Sequence, residues 1–464
     1  MQMIKNADKR IYLYIVIVIY GILCTALCFN HNIWTDEAFT LQVVRENETL
    51  SSVWNFIIGD SHPPLYYLMV KLVTSIFGES LFVFKVFSII PVLITMGLGP
   101  VVLYRKLGFK TALLFEMLLA TVPCLMEYSI QPRMYTWAML FVTLCGFYAY
   151  KTVFLSPKLI DWILFAIFGT LSAYTHYFAF AAVLWIYGIA FIFILLRKTK
   201  GHFIKWIGVC LLSLILYIPW FAAMADQVKN GDENWIDPTI NLRTIRGYFN
   251  WLIDIDVPGQ IVVFGIIFIV ALILCCMNFR NEATNIALLS LAIPVLIVIT
   301  GVLLSILIRP IFVMRYIVPS AGLLCLSLAI GYSYLSNRAY VMLTVFWLLV
   351  GAIIYKQTWF DEYNATRTPM TEEFFNQNFK EGDVVAYNWK VYRFAYEYYF
   401  DSERLIYIED IDWDSPDLGT VWLLDTSMNV EPDAELLSAM GWREENVGAF
   451  GIELNDFDII KISR

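Results

Sequence analysis

Ten side chains in this sequence are of types that carry chemistry and stand where chain geometry could use them. Asp36 and Glu37 come directly after the first long apolar run, in His31-Asn32-Ile33-Trp34-Thr35-Asp36-Glu37-Ala38-Phe39. With Thr35 as N-cap, both acids fall in the first turn of a helix, where free N–H groups and the helix dipole favour an ionised carboxylate. Two readings stand: helix-starting acids, or a general base held ionised at an interface. Asp60-Ser61-His62-Pro63-Pro64-Leu65-Tyr66-Tyr67 follows, its two prolines stiffening the chain and presenting His62 beside Asp60. Arg133, in Gln131-Pro132-Arg133-Met134-Tyr135, and Arg315, followed by Tyr316, each stand at the head of an apolar run. A charge near a bilayer is costly unless paired or hydrated, and the guanidinium fork matches phosphate oxygens in a bidentate way. The alternative for each arginine is snorkelling to lipid headgroups. His176 marks another turn between apolar runs. Asp60, His62, Arg133, His176 and Arg315, with the neighbouring Tyr66, Tyr135 and Tyr316, are the candidate substrate-binding residues. Asp36, Glu37, Asp60 and His62 could together approach a divalent cation, but the loop lacks regular ligand spacing, so neither a metal nor a cofactor is expected.

The elements that must position these groups are helices in lipid. Of 464 residues 59% are apolar and 16% charged, and the mean hydropathy is +0.66, which excludes a water-soluble enzyme. Eleven apolar runs of about 20 residues, enough to cross the hydrocarbon layer, fall near 11–29, 81–103, 111–128, 134–154, 160–175, 177–196, 204–221, 260–278, 286–308, 315–334 and 339–356. The segment from Leu65 to Ile76 is apolar at helical spacing but too short to span, and should lie in the interface plane. The short connections carrying Arg105, Lys106 and Lys110, Lys151 and Lys158, Arg197, Lys198, Lys200 and Lys205, Arg280, and Arg338 are basic, whereas residues 30–80 and 222–259 form long acidic loops. By the positive-inside rule the N-terminus is cytoplasmic and the candidate residues lie outside. The second loop holds Trp235, Arg243, Arg246, Tyr248 and Trp251, suited to sugar stacking or to the interface, the latter favoured. Glu116 and Glu127 are the acids inside a span, with Asp161 at the start of another, and no broken helix is evident. The expected fold is an all-α polytopic membrane protein with a small C-terminal α/β domain.

Charge divides the chain as well. Residues 1–356 hold 24 basic and 17 acidic side chains (+7), residues 357–464 hold 8 and 23 (−15). The expected domains are 1–356 in the membrane and 357–464 outside it. In the tail, residues 383–387, 404–408, 419–425 and a pair around 446–463 read as strands, and 391–400 and 431–440 as helices; no phosphate loop or metal spacing is present. The eight cysteines all lie in apolar stretches, as core thiols rather than ligands or disulfides. No basic run suggests a nucleic acid partner.

Asp36-Glu37 after the first span, His62 to Tyr67 (HPPLYY), Arg133-Met134-Tyr135, Trp235 to Pro238 and Phe312 to Pro319 (FVMRYIVP) together resemble the C-class integral-membrane glycosyltransferases. The similarity is to the broad group of protein O-mannosyltransferases and the lipid A aminoarabinose transferase, and covers about residues 1–340. It implies an inverting transfer of a sugar from a polyprenyl-phosphate donor to a glycan, lipid or protein acceptor on the outer face of a plasma membrane. Carried over, Asp36 is the base, Glu37 supports it, Arg133 and Arg315 hold the leaving phosphate, and His62 orients acceptor or phosphate. A lipid-linked-sugar flippase or a non-catalytic receptor on the same scaffold is the alternative.

Overall fold

The computed structural model describes residues 8–30, 32–199, 201–230, 247, 260–308, 310–363, 367–400, 404–426, 434–452 and 455–464. They form two compact units: Met1–Phe29 with Asn47–Gln357, and Asn30–Glu46 with Thr358–Arg464. Residues 30–46, which the sequence alone assigns to the membrane domain, thus group with the tail.

The first unit is built of helices. Among the described residues eight are long and apolar enough to cross a bilayer, and Phe109–Thr121 with Pro123–Ile130, bent by 65°, would make a ninth. Leu159–Thr175 and Val262–Met277 coincide with two more of the eleven expected segments but are shorter. The bend is a departure from the unbroken helices expected. Pro123 disfavours the helical region for the residue before it, and Val122 is extended at ψ 123°. A second irregularity lies in the span that starts at Leu81, where Gly99–Leu103 forms a π-helical turn. There Gly99 abuts Glu116, whose carboxylate a Cβ would strike. Leu65–Phe77 is a helix of 13 residues, as its spacing predicts.

Lipid-facing and buried surfaces follow the sequence. The first helix, Arg10–Leu27, turns Ile15, Val18, Ile19 and Ile22 outward, as a helix solvated by lipid does. Inside, Trp162, Phe165, Phe178, Tyr187, Ile293 and Phe312 belong to one buried cluster drawn from Leu159–Thr175, Tyr177–Arg197, Glu282–Leu307 and the segment after it. Gly301 is required at the last contact, since a Cβ there would collide with the Phe312 ring; this seats the chain just ahead of Arg315.

The second unit is a five-stranded mixed sheet with flanking helices. The strands are β1 (Val384–Tyr387), β2 (Leu405–Tyr407), β3 (Val421–Asp425), β4 (Arg443–Ile452) and β5 (Asn455–Ser463), ordered β2-β1-β3-β5-β4. β1 pairs in parallel with β2 and β3, in register Val385 with Leu405 and with Trp422. β5 runs antiparallel to β3 and β4. Every strand falls where β-branched and aromatic content predicts it, and the helices Arg393–Tyr399 and Ala434–Ala439 lie within the expected segments. Asp383 ties the turn before β1 to β3 by accepting from the backbone of Lys380 and Thr420 and from Trp422 Nε1, each at 3.0 Å. The helix Thr35–Glu46 packs on Arg393–Tyr399: Trp34 lies edge-on to Tyr392 at 5.5 Å, Phe39 meets Phe394 at 5.0 Å, and Gln42 donates to Glu397 at 3.1 Å.

Candidate active site

Asp36 and Glu37 lie in the first turn of Thr35–Glu46, but the N-cap position is Trp34, not Thr35. Glu37 is 4% exposed, and its Oε2 accepts from the Trp34 N–H at 2.7 Å. This is half of a capping box, the third helical residue reaching back to the first free donor. Asp36 is half-buried. The two acids therefore differ: the Glu37 carboxylate serves the helix, and the Asp36 side chain is the more accessible one.

In the first unit, the turns between helices bring together groups far apart in sequence. His62 and Asp60 pair at 3.2 Å (Nδ1 to Oδ2), and Ser61 Oγ is 3.1 Å from the same ring nitrogen. Burial would raise the Asp60 carboxyl, but the His62 ring, its hydrogen bond, the Ser61 N–H and the charge of Arg133 outweigh it and hold Asp60 below the ordinary aspartate range. Arg133, 3% exposed, donates from Nη1 to the Tyr67 hydroxyl at 3.5 Å. Its position is set by the Gln131-Pro132-Arg133 turn, where the Arg133 N–H bonds the Gln131 carbonyl at 2.7 Å, just after the helix that the Pro123 bend redirects.

His176 stands at the centre of this group. Its ring lies 6.1 Å from His62, 5.4 Å from Tyr135 and 4.9 Å from Tyr316. It is 2% exposed and caps the helix Tyr177–Arg197, its Nδ1 accepting from the Phe178 N–H at 3.1 Å. An acceptor Nδ1 leaves the proton on Nε2, so the neutral ring is a donor through Nε2. Burial, and then the charges of His62, Arg133 and Arg315, push its pKa well below the ordinary histidine range. Tyr316 stacks on Phe178 at 4.8 Å, and Tyr135 packs edge-on to Tyr128 at 4.9 Å. Tyr66 is buried and meets Tyr67 at 5.8 Å.

Thus Asp60, His62, Arg133, Tyr135, His176, Arg315 and Tyr316 converge within the first unit. Glu127 accepts from Gln131 at 2.9 Å. Trp235, Arg243, Arg246, Tyr248 and Trp251, and the resembling stretch 235–238, lie outside the described residues. Lys85, outside the expected site residues, is 1% exposed in the first turns of Leu81–Leu98, three residues before Ser88, whose carbonyl accepts from Thr136 at 2.9 Å. A lone lysine inside an apolar run was its only signal. Among the described residues no group of three His, Cys, Asp or Glu could hold a metal ion.

Comparisons bear on what this scaffold is. Residues 61–222 match the family model of dolichyl-phosphate-mannose-protein mannosyltransferases, which includes His62, Arg133 and His176. No curated protein matches the sequence. The structure is similar to that of ArnT from Cupriavidus metallidurans in the apo state, with a TM-score of 0.61 at 10% identity over 97% of each chain. It is also similar to the same protein bound to undecaprenyl phosphate, with a TM-score of 0.58 at 11% identity, again over 97% of each. The chain is accordingly a polytopic membrane protein with the fold of the C-class integral-membrane glycosyltransferases, similar to protein O-mannosyltransferases and to ArnT.

Proposed function

We propose that this protein transfers a sugar from a polyprenyl-phosphate donor to an acceptor hydroxyl on the outer face of the membrane, with inversion at the anomeric carbon. The observation that supports it most is the cluster of Arg133, Arg315 and His62 around buried, neutral His176, in a chain with the fold of a protein that binds undecaprenyl phosphate. Asp36 takes the acceptor proton, the acceptor oxygen bonds to the anomeric carbon, and the bond from that carbon to the phosphate oxygen breaks. The leaving group departs as a phosphate already charged, so it needs cations rather than an acid. Arg133 and Arg315 supply them, and His176 Nε2–H supplies an uncharged donor. The Asp60–His62 pair orients the acceptor. One base and one departing phosphate, with no covalent intermediate, make a single displacement, hence inversion.

The purified protein, incubated with polyprenyl-phosphate sugars and candidate acceptors, should consume one donor and form a new glycosidic bond of inverted configuration by NMR. Asp36→Asn should lower turnover by roughly 10²–10⁴-fold, the range of a positioned general base, while inserting normally. Sugar movement across vesicles with no bond formed would show a flippase instead, and wild-type turnover in Asp36→Asn would remove the base from this residue.

A further inference from the structure

At the other end of the first unit the helices part around a pocket of about 610 Å³. It lies between the end of the span beginning at Leu81, Tyr135–Phe154, Tyr177–Arg197 and Glu282–Leu307, and its lining is mostly apolar: Val102, Phe147, Ile189, Phe193, Ile286 and Leu289 among others. Arg133 precedes the first residue of Tyr135–Phe154, and Lys151, which lines the pocket, is in its last turn. At 1.5 Å per residue this puts the pocket roughly 25–30 Å from the Arg133 cluster, across the hydrocarbon layer.

The mouth is basic. Arg105 and Lys106 line it, are exposed, and make no ion pair among the described residues. Lys151 pairs with Asp161 at 2.7 Å. Glu282 accepts from Tyr150 at 2.6 Å. Arg197 stands over the ring of Phe154, a lining residue, at 4.8 Å. Four cations face two carboxylates, and the two cations not engaged with an acid or a ring are adjacent in sequence at one lip. A greasy interhelical slot with a basic lip matches a molecule with an acyl chain and an anionic phosphate head.

We propose that this pocket is a binding site for an anionic glycerophospholipid of the leaflet opposite the cationic cluster, one chain lying in the slot and the phosphate held by Arg105 and Lys106. It is separate from any donor site at Arg133, and its occupant is not a substrate.

Native mass spectrometry of the full-length protein, titrated with phosphatidylglycerol or with phosphatidylcholine of the same chains, tests this. Phosphatidylglycerol should bind preferentially, and Arg105→Glu with Lys106→Glu should weaken it by about tenfold or more, as reversing two interfacial cations implies, and abolish the preference. Leu289→Trp, which fills the slot, should weaken both lipids, and Arg133→Ala should change neither. Equal binding of the two lipids, indifference to the charge reversal, loss of binding in Arg133→Ala, or displacement of the lipid by inorganic phosphate alone would each overturn the proposal.

Discussion

His176 is kept neutral by the fold: its Nδ1 is committed to the Phe178 N–H, and burial and the charges of His62, Arg133 and Arg315 oppose a proton. In the unfolded chain the imidazole takes up a proton near pH 6.5. Below that value the unfolded state binds more protons than the folded one, so stability falls as pH drops from about 6.5. Asp60, whose folded pKa is lowered, adds a further loss only below about pH 4, where an unfolded aspartate protonates and the folded one resists. His176→Gln should therefore flatten the dependence of the thermal midpoint on pH between about 6.5 and 5; an unchanged slope would place the titrating group elsewhere. Arg133 predicts a different pattern. Arg133→Lys keeps a charge but loses the planar fork, and should raise the KM for the donor by about tenfold, with Arg133→Ala worse, if bidentate phosphate contact is its role. Donor titrations at saturating acceptor measure this. The types and places of these residues are legible in the sequence; their protonation is not, because it depends on charges contributed by three other turns.

Elements explain the departures from what the sequence leads one to expect. Glu37 and Asp36 are indistinguishable as neighbouring first-turn acids, yet it is Glu37 that accepts from the Trp34 N–H, because it stands at the third helical position, from which a side chain reaches back to the cap. Glu37→Gln, which keeps an acceptor oxygen, should retain stability and turnover. Glu37→Ala should cost about 1 kcal/mol by loss of a cap interaction, read from thermal unfolding. Turnover falling equally in Gln and Ala variants would mean that the Glu37 charge itself takes part. The bend at Val122 shows a similar limit: a hydropathy window over 111–128 sees one apolar run, while Pro123 divides it. The same proline was in plain view in the sequence, but a composition average weighs its apolar ring and not its missing N–H.

On the scale of the whole molecule, the helix bearing Asp36 belongs to the same compact unit as the acidic tail, fastened by Trp34 on Tyr392 and Phe39 on Phe394. Ending the chain after Gln357 removes those partners, so the truncated protein should still insert its membrane helices but lose transfer to near background, measured with the same donor assay; a truncated enzyme of full activity would show that the tail is dispensable to Asp36. By itself the sequence determined the membrane class, the helical segments, the strands of the tail and most of the residues that converge around His176, because apolar runs and β-branched alternation are local signals read within one element. Only the tertiary structure decided that residues 30–46 pack with a domain more than 300 positions downstream, that Lys85 is buried, and that His176 is held neutral. Each of these depends on contacts between segments distant along the chain, and no pattern within either segment encodes them.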